Sequence, residues 1–87
     1  MKLPEALKLT TDTLWQIKNK KDLEGVIDDI LTPSEIIAIW ERIALLKLLK
    51  EWKTQREIAE ELGISITTVT RGSRILKYDA VAIDKYL

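Results

Sequence analysis

Apolar positions along the chain recur at helical spacing, and no strand-like alternation persists, so the sequence reads as all-α with about six helices. A first helix is predicted from about Pro4 to Lys20, with proline at its start. Leu7, Leu14, Ile17 and Trp15 form its apolar side. Asp22 is in place to cap a second helix reaching about Ile30. Thr32-Pro33-Ser34-Glu35 then spells a capping box, with proline at the first helical position. The third helix follows to about Glu51. Its apolar residues, from Ile36 and Ile37 through Ile43 to Leu48 and Leu49, occupy more than one side. That is the pattern of a helix buried on several sides. In a chain of 87 residues, a second subunit is the expected extra cover.

A second capping box, Thr54-Gln55-Arg56-Glu57, opens a fourth helix that ends at Leu62-Gly63, where glycine supplies a left-handed turn residue. Ser65 caps a fifth helix to about Leu76, and a short last helix runs from about Asp79 to Tyr86. Helix, glycine turn, helix is the helix-turn-helix plan. Ala59 is small where the two helices cross, and Ile58, Leu62, Ile64 and Val69 are spaced to hold the pair together. Gln55, Arg56, Ile66, Thr67, Thr68 and Thr70 are left outside, near the two helix N-termini. There this motif meets phosphates and base edges. Hydroxyls bond either, and isoleucine can touch a thymine methyl. The plainer reading is a capped helical hairpin with a polar face. Against it, Thr67, Thr68 and Thr70 crowd β-branched residues onto an exposed helix, where they are poor fillers.

Composition narrows the chemistry. The chain has no cysteine and no histidine, which removes disulfides, the commonest metal ligands and the commonest general base. No paired acidic motif replaces them, so the expectation is that the protein is not an enzyme and needs no cofactor. No apolar run approaches the roughly 18 residues of a membrane span, and no secretory signal is visible, so a soluble, cytoplasmic protein is expected. Net charge is zero, but its distribution is uneven. Residues 53–77 hold five Lys/Arg against three Glu, giving +2, whereas residues 1–30 hold five Lys against six Asp/Glu, giving −1. A local positive field is what a DNA-reading element needs.

Leu31-Thr32-Pro33-x-Glu35, Arg42, Thr54-Gln55-Arg56-Glu57, Glu61-Leu62-Gly63 and Thr70-Arg71-Gly72-Ser73-x-x-Leu76-Lys77 resemble the tryptophan repressor family. The resemblance covers roughly Asp22 to Leu87, and the Thr-Arg-Gly-Ser stretch is its most specific piece. It implies one all-helical domain forming an intertwined homodimer. Residues 1–52 would supply the dimerisation core, 54–77 the helix-turn-helix and 78–87 the C-terminal helix. It implies a repressor that binds double-stranded operator DNA, with L-tryptophan as corepressor. By the same resemblance the indole lies between Arg42 and Arg71, and Arg71 holds the ligand carboxylate with help from Thr32. Gly72 would let the flat ring approach the backbone. The backbone carbonyls of Asp29 and Leu31 would receive the ammonium group. Arg56 would contact a base, with Gln55, Ile66, Thr67, Thr68 and Thr70 completing the DNA surface.

Four departures from the family pattern stand out. Trp40 replaces a glycine, Ile75 a serine and Ala59 a lysine of the best-known member, and the segment between Arg42 and Thr54 is one residue shorter. Two other readings stay open at this stage: a ligand-independent DNA-binding regulator of the same fold, and a helical protein-interaction module. The tryptophans Trp15, Trp40 and Trp52 are expected in a core or interface.

Overall fold

The structure, a computed structural model, describes the backbone of residues 1–79 and 81–87 and the side chains of residues 1–74 and 82–87. Among the described residues there are six helices and no strand: α1 (Leu3–Leu14), α2 (Lys20–Ile30), α3 (Pro33–Lys50), α4 (Gln55–Leu62), α5 (Ile66–Asp79) and α6 (Val81–Asp84). The chain divides into two compact units, Met1–Ile36 and Ile37–Leu87.

In the first unit α1 is shorter than its apolar pattern suggests, ending at Leu14 rather than near Lys20. Thr10 and Thr13 turn their hydroxyls back onto the carbonyls of Ala6 and Leu9, at 2.8 Å each. Such back-bonding weakens a helix. Trp15 closes α1, and Gln16 and Ile17 follow in tighter i→i+3 turns. The α2 cap also differs from expectation. Asn19, not Asp22, is the N-cap: its Oδ1 accepts from the Asp22 backbone N–H at 2.8 Å. Asp22 returns the contact, its carboxylate accepting from Asn19 Nδ2 at 2.9 Å. Neither α1 nor α2 contains a buried residue.

The capping box before α3 forms as the sequence predicts. The Thr32 N–H donates to Glu35 Oε1 at 2.8 Å, and the Glu35 N–H donates to Thr32 Oγ1 at 3.3 Å. The Thr32 hydroxyl also donates to Glu35 Oε1, at 2.9 Å. The Thr32 backbone N–H, and then its hydroxyl, hold the Glu35 carboxyl below its ordinary pKa. A depressed carboxylate stabilises the fold above its unfolded pKa, about 4.3, and that contribution is lost as pH falls through the lowered folded value. Glu35→Gln is therefore expected to lower the melting temperature slightly near pH 7 and to flatten its fall below about pH 4.3, so that variant and wild type converge at low pH. An unchanged acid limb would show that the box carries no charge-dependent stability.

The core lies in the second unit. Leu45 and Leu48 of α3, Ile58 and Ala59 of α4 and Val69 of α5 are buried together, with Leu49, Leu62 and Ile64 packed around them. Thr54 caps α4 through its own capping box, and Ser65 Oγ accepts from the Thr68 N–H at 3.1 Å to cap α5. Gly63 takes φ 68°, ψ 32°, the left-handed conformation that turns α4 into α5. Both cap residues and the turn glycine are where the sequence places them. The fifth helix runs to Asp79 rather than Leu76, and α6 is shorter than expected at Val81–Asp84. Lys50 Nζ donates to the Asp84 carbonyl at 2.8 Å, tying α3 to the last helix.

The α3 C-terminus departs most from local rules. The Trp52 N–H donates to the Leu49 carbonyl at 3.1 Å and the Lys53 N–H to the Leu48 carbonyl at 3.2 Å. This is a Schellman-type ending, and its left-handed position, normally glycine, is held by Trp52 at φ 64°. A bulky residue there stores on the order of 1–3 kcal/mol of strain. Its side chain is 93% exposed. Trp15 and Trp40 are exposed too, so of the core or interface expected for the three tryptophans, the core of this chain holds none. Only Leu45 and Leu48 of α3 are buried, and Ile37, Ile39 and Ile43 are exposed.

Candidate ligand cavity and nucleic-acid interface

Two concave features share helix α5, and both lie within the second unit. The inner one is a cavity of about 270 Å³ lined by Ala38, Glu41, Arg42 and Leu45 of α3, Ile64 of the turn, and Thr68, Arg71 and Gly72 of α5. Arg42 and Arg71, expected to face one another across a ligand, do line the same space. Among the described residues neither arginine forms an ion pair within 4.0 Å; the salt bridges there are Lys8–Asp12 and Lys50–Asp84. Two guanidinium groups and the Glu41 carboxylate thus border one cavity backed by Leu45 and Ile64. Fixed charges of both signs beside an apolar wall suit a small molecule that carries charged and apolar parts.

Gly72 has a structural reason as well. A Cβ at this position would collide with Leu45 Cδ2 on the facing helix and lie 3.7 Å from Leu45 Cγ. The missing side chain lets α3 and α5 approach closely. Trp40 is not among the residues lining the cavity, and Ile75 lies outside the described side chains. Asp29, Leu31 and Thr32 belong to the first unit, around the α2–α3 junction, where the Thr32 hydroxyl is engaged by Glu35.

The outer feature is a shallow depression of about 340 Å³ lined by Ile66, Thr67, Thr70, Arg71 and Arg74. Arg71 therefore borders both spaces. Thr68 stands apart from the other α5 residues expected at DNA: it lines the inner cavity, and its hydroxyl lies 2.8 Å from Ser65 Oγ. Gln55 and Arg56 are exposed in the first turn of α4, and Gln55 meets α5 directly, its Oε1 accepting from Thr70 Oγ1 at 2.6 Å. Arg74 is absent from the DNA surface expected from the sequence. The signal for it is helical spacing, since it follows Thr70 by four residues and Thr67 by seven.

The Trp repressor protein family matches residues 5–87 of this chain. The chain belongs to the Trp repressor family. Its relatives include the Trp operon repressor homolog of Xylella fastidiosa, 33% identical over 78 residues, which cover 88% of this chain and 85% of the relative. The Trp operon repressor homolog of Photobacterium profundum is 40% identical over 70 residues, covering 79% and 68%. The uncharacterized protein YerC of Bacillus subtilis is 28% identical over 67 residues, covering 77% and 64%. No solved structure matches. Membership in the Trp repressor family supports a DNA-binding transcriptional regulator, and the members of this family are regulators rather than enzymes. Among the described residues no helix is long and apolar enough to cross a membrane.

Proposed function

We propose that this chain is a transcriptional repressor that binds operator DNA as a homodimer and is activated by L-tryptophan. The observation that supports the ligand reading is the cavity where Arg42 and Arg71, beside Gly72, stand without a carboxylate partner among the described residues. A zwitterionic amino acid gives those guanidinium groups a carboxylate to bind by charge-assisted hydrogen bonds, and Leu45 and Ile64 meet its apolar part. The homodimer reading rests on exposed apolar side chains. Leu3, Leu7 and Trp15, with Ile37, Ile39 and Trp40 of α3, are more than such a chain leaves to solvent without purpose.

Control of DNA binding follows from helix sharing. A ligand in the inner cavity touches α3 through Arg42 and Leu45 and α5 through Thr68, Arg71 and Gly72. The adjoining face of α5, which shares Arg71 with the cavity, presents Ile66, Thr67 and Thr70. Fixing α5 against α3 fixes that outer surface, and in a dimer it sets two such surfaces about one DNA turn, roughly 34 Å, apart. The ligand favours this state only by binding it better than the alternatives, and DNA then tightens the ligand by the same factor.

Retention of duplex DNA from a randomised pool, with and without tryptophan, tests this reading alongside calorimetry on the wild type and Arg71→Ala. The expected result is saturable tryptophan binding lost in the variant, and DNA affinity raised about 5- to 150-fold by the ligand. Affinity should fall steeply with salt as counterions are released. DNA binding indifferent to tryptophan would make the protein a ligand-independent regulator. No duplex retained at low salt would make it an interaction module.

A further inference from the structure

Gln55 and Thr70 sit 15 residues apart, on α4 and α5, and both are exposed. The hydrogen bond between them is short, 2.6 Å from Thr70 Oγ1 to Gln55 Oε1. Its direction has a chemical consequence for each partner. A threonine hydroxyl has one proton, and here that proton is spent on Gln55. Thr70 thus has none to give a phosphate oxygen or a base acceptor without surrendering this bond. Gln55 is affected in the opposite way. Its carbonyl is engaged, its carboxamide plane is pinned, and the two N–H groups of Nε2 remain to donate. Gln55 is also the first residue of α4, where free backbone N–H groups and the positive end of the helix dipole face outward. A donor amide at such a place is set to meet an acceptor.

We infer that Thr70 is a positioning residue for DNA recognition rather than a contact: it holds the Gln55 amide so that Nε2 donates to an acceptor atom on the DNA. This rests on the proposed reading of the chain as a DNA-binding regulator. The acceptor is a base edge (guanine O6 or N7, thymine O4) or a phosphate oxygen, and all three take the same donor. Holding the side chain in advance removes part of the rotamer entropy that a free glutamine loses on binding. The bridge also couples the first turn of α4 to the middle of α5, so both helices meet the DNA as one surface.

The test measures duplex binding by Gln55→Ala, Thr70→Val, Thr70→Ser and the double variant Gln55→Ala/Thr70→Val, using sequences selected from a random pool by the wild type. Thr70→Val keeps the β-branched shape and loses the hydroxyl. Each of Gln55→Ala and Thr70→Val is expected to lose about two- to tenfold in affinity. The double variant should lose no more than Gln55→Ala alone, and Thr70→Ser should bind as the wild type does. Repeating the selection with Gln55→Ala identifies the acceptor: preference lost at one base pair marks a base edge, and a uniform loss across sequences marks a phosphate. A double variant that loses the product of the single losses would overturn the inference, because Thr70 would then make its own contact. Thr70→Ser binding as weakly as Thr70→Val would overturn it too. A wild type that retains no duplex at low salt would overturn the DNA-binding reading itself, a result distinct from either.

Discussion

Ile58→Ala is expected to destabilise the protein by about 2–5 kcal/mol, the range for cutting a fully buried isoleucine back to a methyl group. Ile58 is 0% exposed, and it shares the centre of the core with Val69, the other fully buried large side chain among the described residues. The reason for so large an effect is that the core is small. Among the described residues, five buried ones from α3, α4 and α5 hold the second unit, and α4 supplies only Ile58 and Ala59. An eight-residue helix is too short to persist on propensity alone, so α4 depends on this packing. Native stability of small domains is commonly only about 5–15 kcal/mol, so one truncation removes a large part of it. Urea titration of the wild type, Ile58→Val and Ile58→Ala checks this. The valine variant should lose about 0.5–1.5 kcal/mol and the alanine variant several-fold more. All three must be compared at one protein concentration, because dimerisation would make the midpoint concentration-dependent. An alanine variant within about 0.5 kcal/mol of the wild type, the range of surface substitutions, would place the energetic centre elsewhere.

The features legible in the sequence are those decided within a few residues. Thr32 with Glu35, Thr54 with Glu57, Ser65 before α5 and Gly63 after α4 are all read from local spacing, and all form. Arg42, Arg71 and Gly72 at one cavity also follow from the sequence, through a motif rather than through local physics. What escapes is set by competition or by distance. Both Asn19 and Asp22 can cap a helix, and the choice between them depends on where the threonine-weakened α1 gives way. Glycine-like backbone at Trp52 cannot be read from a residue that disfavours it. The Thr70–Gln55 bond depends on how α4 and α5 cross, which no short window contains. The broad apolar surface of α3 is legible as a pattern, but most of it remains exposed in the single chain. A pattern reports what must be covered without saying by what.

Gly72→Ala is expected to lower stability by about 1–2 kcal/mol, although alanine is the better helix former. Inside a helix the exchange alone would stabilise by roughly 0.5–1 kcal/mol. Opposing it, the new Cβ meets Leu45 Cδ2, and Leu45 is 4% exposed and packed among the core residues. Overpacking of this kind costs about 1–3 kcal/mol, so the clash wins. Leu45→Ala alone should cost about 2–5 kcal/mol by leaving a cavity. Combined, the two changes relieve one another, since the space vacated by leucine accepts the added methyl. The double variant should therefore be more stable than the sum of the single losses predicts, by about 1–2 kcal/mol, a coupling within the range for residues in contact. Denaturant titration of the four proteins gives this cycle directly. If Gly72 serves only to leave room for a ligand, the outcome reverses: Gly72→Ala would leave the ligand-free protein as stable or slightly more so, and only tryptophan binding would suffer. If it serves helix contact, free-protein stability falls first. Because Leu45 lines the same cavity as Arg42 and Arg71, displacing it alters the cavity wall as well. One glycine thereby links the packing of α3 on α5 to the shape of the space between the two arginines.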